Sequence, residues 1–383
     1  MKEVFLVFLR LGLTSFGGPV AHIGYFRAEF VTRRRWLEED AYAGIVGFCQ
    51  FLPGPASSQV AMVLGRERAG WGGLLAAWLG FTLPSALAMI LFALFLHALG
   101  GAANAPWVHG LKLAAVAVVA QALWSMSRSL TPDMPRVALA ALAAAMALLL
   151  PTEVGQVAAI ALGGLLGWLV LKPRPMTAMP VAAARHAWLF LALFAVLLVM
   201  LPVLAPRSHG LALFGAFYRA GALVFGGGHV VLPLLQHAVV SPGWIGNAPF
   251  LAGYGAAQAM PGPLFSFAAY LGAVLGGWGG ALLCLAAIYL PSLLLVAGGW
   301  PLWQAVAHHP ALQAALAGIN AAVVGLLAAA LWSPVITAAI FSVADVLIVL
   351  AALGLLLVPK APSWAVVGFG AAAASAVALL SPA

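Results

Sequence analysis

Charge is nearly absent from this chain. Only 7% of its 383 residues are charged, and just 9 of them are Asp or Glu. That is too little charge to cover the surface of a soluble domain of this length, so a water-soluble enzyme is excluded. Scarce carboxylates also leave no paired acid/base set. The only two cysteines, Cys49 and Cys284, sit inside apolar runs; they exclude a disulfide framework and lack metal-ligand spacing. No Walker sequence and no zinc-protease pattern occur, so ATP-driven transport and metal-dependent hydrolysis drop out. No metal or cofactor is expected, and the chain is not read as an enzyme.

What remains is apolar and flexible in backbone. Hydrophobic residues make up 64% of the chain, with 42 glycines and 25 prolines, and mean hydropathy is +1.09. This is the composition of an all-α polytopic membrane protein, with the lipid bilayer as its surroundings. The net charge of +8 resides mostly in short loops between apolar runs, which suits membrane orientation better than a nucleic-acid partner. The N-terminus lacks a small-residue cleavage site and reads as the first membrane segment.

The chain says nearly the same thing twice. Phe8-Leu9-Arg10-Leu11-Gly12, Phe16-Gly17-Gly18-Pro19 and Gln50-Phe51-Leu52-Pro53-Gly54-Pro55 return as Phe217-Tyr218-Arg219-Ala220-Gly221, Phe225-Gly226-Gly227-Gly228 and Gln258-Ala259-Met260-Pro261-Gly262-Pro263. Trp36 matches Trp244, Trp71-Gly72-Gly73 matches Trp278-Gly279-Gly280, and Pro84-Ser85 matches Pro291-Ser292. Apolar segments interrupted by Gly and Pro at corresponding places in two halves point to a secondary transporter with its site between the halves.

The apolar runs divide the chain into residues 1–171, an N-terminal transporter repeat; 172–210, a linker plus connecting helix; and 211–383, a C-terminal repeat. Two homologous six-segment halves are thus joined by one extra helix, with an uninterrupted apolar run expected over 335–358 and Glu153 expected in a loop. The first two segments of each half are broken mid-way, so each either crosses the bilayer or turns back as a re-entrant hairpin. If both cross, or both turn back, the extra helix inverts the second half. Lys and Arg gather on the N-terminal side when both turn back, which favours inverted halves and a cytoplasmic N-terminus.

Arg10 and Arg219 stand inside apolar segments at equivalent places. Holding Arg at bilayer depth costs roughly 2.5–3.5 kcal/mol. Snorkelling to the interface is the plain reading; a pair of fixed cations facing an anion near the pseudo-symmetry axis is the functional one. At Pro53-Gly54-Pro55 and Pro261-Gly262-Pro263, Pro55 or Pro263 fits the first helical position, so the next turn aims free N–H groups at the break, a ready anion site. Ser57, Ser58 and the matching Ser266 stand in those turns, and Gln50 and Gln258 lie just upstream. A packing kink would explain the prolines alone. Gly17-Gly18 and Gly226-Gly227-Gly228 could equally serve close helix contact. His22 and His229, at non-matching positions, are candidate proton carriers, or simply bond a freed carbonyl. Glu29 is a further proton candidate, with Arg27 or Arg33 as alternative partners at helical spacing.

Phe16-Gly17-Gly18-Pro19-Val20-Ala21-His22-Ile23-Gly24, Cys49 through Gln59, Val224 through His229, and Gln258 through Pro263 together resemble the chromate transporter family in its long two-domain form, over nearly the whole chain. The resemblance implies a bacterial inner-membrane carrier that expels chromate on the proton motive force, conferring chromate resistance. It also implies halves of opposite orientation joined by a connecting helix. Its functional positions fall largely in these motifs. Chromate and sulfate are near-isosteric tetrahedral dianions, so a sulfate or other oxyanion transporter is the alternative, and a homodimer is a possible assembly. An intramembrane enzyme on a phosphorylated lipid is the alternative from another class, disfavoured because it needs an asymmetric acid/base set.

Overall fold

The computed structural model describes residues 1–16, 18–98, 105–150, 153–171, 186–225, 230–306, 309–357 and 363–380. Among them the chain is all helical, and five helices are long and apolar enough to cross a membrane. The first half opens with α1 (Lys2–Thr14), α2 (Gly18–Arg27) continuing as a π-turn over Ala28–Arg33, and α3 (Glu39–Phe51). Next come α4 (Ala56–Ala98), α5 (Pro106–Leu130), α6 (Met134–Leu149) and α7 (Glu153–Val170). The connecting helix α8 (Ala187–Leu204) follows. The second half repeats the order as α9 (His209–Leu223), α10 (Val231–Val239), α11 (Asn247–Ala259), α12 (Phe267–Val306), α13 (Pro310–Ala330), α14 (Val343–Leu357) and α15 (Ser363–Leu380).

Helices α4 and α12 are hairpins rather than rods. Each leaves helical geometry at a matching pair, Ala69–Gly70 and Gly276–Gly277, whose glycines have φ of 62° and 58°. Only a residue without Cβ adopts that conformation cheaply. The limbs then fold back so tightly that a side chain on Gly65 would overlap the Gly73 carbonyl, and one on Gly272 the Gly280 carbonyl.

Both broken segments of the first half start and finish at one end of the molecule. Glu3, at the start of α1, pairs with Arg34 at 3.3 Å and with Arg68 at 3.5 Å. Arg27 pairs with Glu39 at 2.6 Å, bringing the start of α3 to the same end. In the second half His209, at the start of α9, packs edge-on against Trp244, just before α11. The turn of α4 lies beside α12, where Glu67 accepts a 2.9 Å hydrogen bond from Trp300 Nε1. The turn of α12 instead lines a cavity of about 350 Å³ with His97, at the far end of α4.

The remaining helices interleave the halves. α5 packs against α14 and α15, while α13, at its repeat position, packs against α6 and α7. Backbones approach closely there: a Cβ on Gly167 would come 2.6 Å from the Gly318 Cα, and one on Gly110 2.6 Å from the Ala371 Cα. Small residues at the crossing are what membrane helices use in place of a hydrophobic drive.

Two expectations need correction. The 335–358 run is not one helix: a π-turn ends at Ile336, non-helical backbone follows over 337–342, and α14 begins only at Val343. A capping box sets that start. The Ser342 hydroxyl accepts from the Asp345 N–H at 3.2 Å, and the Asp345 carboxylate accepts from Phe341 and Ser342 N–H at 2.9 Å each. Glu153 opens α7 rather than lying in a loop. The linker expected at 172–186 falls outside the described residues except for His186.

A further tie joins the halves near the α4 turn. Pro301 has no N–H to offer the Ala297 carbonyl one turn earlier. Arg66 supplies the missing donor from the other half, at 3.1 Å to Ala297 O and 3.2 Å to Val296 O. Arg66→Met is expected to lower stability by about 1–3 kcal/mol in detergent thermal unfolding. Pro301→Ala restores the N–H, so the double mutant should lose clearly less than the two single losses added together; strict additivity would show that the two residues are not coupled.

Candidate functional site

The breaks of the two halves meet, and each is completed by the other. The Gly54 N–H donates to the Val224 carbonyl at 2.6 Å, and the Gly262 N–H donates to the Ser15 carbonyl at 2.8 Å. Ser15 and Val224 occupy equivalent repeat positions, as do Gly54 and Gly262. The Pro-Gly-Pro turn of each half therefore satisfies a carbonyl released at the first break of the other. In hydrocarbon such groups cannot stay unpaired. Gly54 has φ of 123° and Gly262 of 96°. A Cβ on Gly54 would strike the Ser292 hydroxyl and Gln59, and one on Gly262 would come 3.0 Å from the Ser85 hydroxyl.

Side chains reinforce this crossing. His22, 1% exposed, places Nε2 3.2 Å from the Ser15 carbonyl and Nδ1 3.3 Å from the Ser57 hydroxyl. A carbonyl can only accept, so Nε2 carries the proton and Nδ1 accepts from Ser57. Gln59 Nε2 donates to the Pro53 carbonyl at 2.7 Å and to the Ser292 hydroxyl at 3.2 Å, bridging the halves. Pro55 and Pro263 stand one residue before their helical turns rather than at the first helical position. The Pro263 carbonyl accepts the Ser266 N–H at 3.1 Å and the Ser266 hydroxyl at 2.8 Å.

Beside the crossing lies a cluster of buried polar groups that hydrogen-bond poorly to the rest of the protein. Ser58 Oγ, Thr82 Oγ1, Tyr289 Oη and Trp78 Nε1 are all buried without a hydrogen-bond partner of ordinary geometry. They are neighbours: the Tyr289 hydroxyl lies within interaction range of Ser58 and Thr82, and its ring packs edge-on against Trp78 at 5.6 Å. Thr82 and Tyr289 are repeat equivalents, one from each half. Every member can donate, and buried donors without acceptors are costly unless something else accepts from them.

Other expected residues are dispersed. Arg10 is exposed on α1, whose buried stripe is Val4, Val7, Phe8 and Leu11, so helical spacing turns it outward. Arg219 is half-buried and lines a separate cavity between α7, α8, α9 and α10; Arg10 does not line it. The two arginines therefore do not face each other across the break cluster. Gln50 is exposed at the end of α3. Gln258 is half-buried and interacts with Tyr254 one turn earlier, leaving its Nε2 without a partner. Glu29 is held by Arg34 at 2.6 Å and Arg33 at 3.0 Å, which makes it part of the charged clasp at the α1 end, and Arg27 pairs with Glu39 instead. Gly18 has φ of 76°, while Gly17, Gly226, Gly227, Gly228 and His229 fall outside the described residues. Pro261 is half-buried at the second turn.

Sequence reasoning overlooked Thr82, Tyr289, Trp78 and the bridging role of Gln59. A signal existed for part of it: the repeated Pro84-Ser85 and Pro291-Ser292 mark the stretch of each long limb that faces the opposite Pro-Gly-Pro turn.

Fold and site together define a class, a multi-span helical membrane protein whose repeated halves interlock at broken helices. A family model described as chromate transporter matches residues 2–168 and again residues 211–376. The chain belongs to the chromate transporter family, in its long two-domain form. The chromate transport protein of Pseudomonas aeruginosa is 30% identical over 337 residues, 85% of this chain and 79% of that protein. The chromate transport protein of Cupriavidus metallidurans is 27% identical over 393 aligned residues, 99% of this chain and 93% of its own. An uncharacterized transporter of the archaeon Methanocaldococcus jannaschii is 26% identical over 336 residues, 85% of this chain and 82% of its own. No solved structure matches the chain.

Gly54→Ala and Gly262→Ala are each expected to cost about 1–3 kcal/mol through left-handed strain alone, with overlap adding to it at Gly54. Gly24→Ala and Gly47→Ala, where an added Cβ meets nothing, should stay within about 0.5 kcal/mol of wild type. Thermal unfolding and size-exclusion profiles in detergent compare the four. Equal tolerance at all four would refute the reciprocal-turn account.

Proposed function

We propose that the chain is a secondary carrier that exports chromate across the bacterial inner membrane by alternating access, driven by the proton motive force. The carrying observation is the cluster of Ser58, Thr82, Trp78 and Tyr289, four buried groups able to donate, the three hydroxyls in range only of one another, where the broken helices cross. A tetrahedral dianion stripped of water needs several donors at once. The first limb of α4 begins at the same crossing, and the positive end of its dipole adds to them. On this reading the substrate contacts Ser58, Thr82, Trp78 and Tyr289, while Gly54, Gly262, Ser57, Ser266 and Gln59 shape the crossing. Arg10 and Arg219 lie outside the contact shell. His22, Ser57 and the Ser15 carbonyl form the proton-bearing chain nearest the site.

The repeats, 1–171 and 211–383 around the connecting region 172–210, are proposed to be inverted, with re-entrant broken segments and a cytoplasmic N-terminus. Three features support this. The ends of the broken segments in the first half come together through the pairs Glu3–Arg34, Glu3–Arg68 and Arg27–Glu39. The α4 turn neighbours Trp300, whereas the α12 turn neighbours His97 at the opposite end of the long limbs. Arginines 33–35, 66 and 68 gather at the end where the chain begins, as the positive-inside rule asks of a cytoplasmic face.

Two measurements test the reading. In inverted vesicles, chromate uptake should require a proton gradient and be inhibited by sulfate, with nitrate, planar and singly charged, a poor competitor. Ser58→Ala, Thr82→Val and Tyr289→Phe should each reduce flux roughly tenfold, about 1.4 kcal/mol for one lost charge-assisted bond. Nitrate inhibition equal to that of sulfate, with flux unchanged in all three variants, would discard the site. Separately, Glu38→Cys and its repeat equivalent Gly246→Cys, both exposed, should label from opposite faces, in a background where Cys49 and Cys284 are buried. Labelling from one face would leave the halves parallel.

A further inference from the structure

The repeat places Arg10 and Arg219 at equivalent positions, but only Arg219 lies in a cavity. The reason is α8, which has no counterpart in the repeat. Its end, at Pro202 and Ala205, walls off a space of about 480 Å³ that Arg219 shares with Gln156 of α7, Leu223 of α9 and Leu234 of α10. Arg219 Nη1 lies beside Gly215, one turn back along α9, where Leu201 of α8 also packs. The guanidinium is thus drawn toward the α8–α9 corner, in the manner of a snorkelling side chain. Gln156 belongs to the first turn of α7 and is buried. Arg207 stands exposed at the same corner. Val203, next to Pro202, is 65% exposed on the outside of α8, so the cavity borders the bilayer.

We propose that this cavity binds the headgroup of an anionic phospholipid, with the phosphodiester on Arg219 and Gln156 and an acyl chain along the alanine and leucine wall. The balance of donors selects the ligand. Among the described lining residues a free chromate or sulfate dianion would find one cation and one amide among apolar walls, too few to replace its hydration. A phosphodiester carries one negative charge, and its own tail covers the remaining apolar surface. Among the described residues that line the cavity none is acidic. Basic pockets between membrane helices near the interface recognise anionic headgroups in this way.

The test is native mass spectrometry of purified full-length protein titrated with phosphatidylglycerol, with phosphatidylcholine, inorganic phosphate and chromate in parallel arms. Wild type should retain phosphatidylglycerol in preference to phosphatidylcholine. Arg219→Gln should weaken retention about fivefold, the value of one cation near the surface. Ala205→Trp, which narrows the cavity without touching the charge, should weaken it as well. Arg10→Gln should behave as wild type. Each variant is first required to be monodisperse, and Ala205→Trp keeps the test open if Arg219→Gln fails to fold. Retention unchanged in both cavity variants would reduce the lipid to an unspecific annulus. Displacement of phosphatidylglycerol by chromate or inorganic phosphate would make the cavity a small-oxyanion site instead. Neither result bears on flux through the break cluster.

Discussion

The exchange of backbone hydrogen bonds between the two sets of breaks is the constraint on which the structure depends. A helix broken inside a membrane releases N–H and C=O groups that lipid cannot satisfy. Here the Gly54 N–H meets the Val224 carbonyl and the Gly262 N–H meets the Ser15 carbonyl. Each half thus completes a break of the other, while His22 and Gln59 add bonds at the breaks within the first half. The interleaving of α5 with α14 and α15, and of α13 with α6 and α7, follows the same exchange outward from the centre.

The exchange is symmetric in the backbone and asymmetric in the side chains. The Ser15 carbonyl also receives His22, whose repeat position is Val231, and Gln59 bridges to Ser292 where the second half has Phe267. The Ser266 hydroxyl is tied to the Pro263 carbonyl, whereas Ser58 Oγ has no such partner. Across the pseudo-axis Thr82 faces the work of a much longer Tyr289. A symmetric frame holds the crossing in place, and these differences leave Ser58, Thr82, Trp78 and Tyr289 as a cluster of donors beside it. One end of the frame is also tied more firmly than the other. Arg66 and Glu67 bond α12 beside the α4 turn, while the cavity at the α12 turn is lined mostly by apolar residues with His97.

Much of the architecture could be read in the chain because its signals are local. Apolar runs, the duplicated Phe-Gly-Gly and Pro-Gly-Pro breaks and the unmatched run at 187–204 each depend on residues close in sequence. The Pro-Gly-Pro turns were legible as helix breaks because proline and glycine interrupt a helix, though Pro55 and Pro263 fall one residue before their helical turns. Arg10 and Arg219 misled for a physical reason. Equivalent sequence positions imply equivalent depth, but not equivalent neighbours, and the neighbour that separates them is α8. The interruption before Val343 was hidden inside a uniformly apolar stretch, where only Ser342 and Asp345 carried the capping signal.

The sequence alone determined that the chain spans a membrane, that it consists of two related halves around a spare helix, and where its helices must break. Composition, periodicity and duplication suffice for that, since each reports on solvent and backbone rather than on partners. Tertiary structure decided which half completes which break, and so drew Thr82, Trp78 and Tyr289 into one cluster with Ser58. It also decided that one of two equivalent arginines is sheltered and the other exposed. Those outcomes depend on contacts between residues far apart in the chain, and no local pattern records which distant carbonyl an orphaned N–H will find.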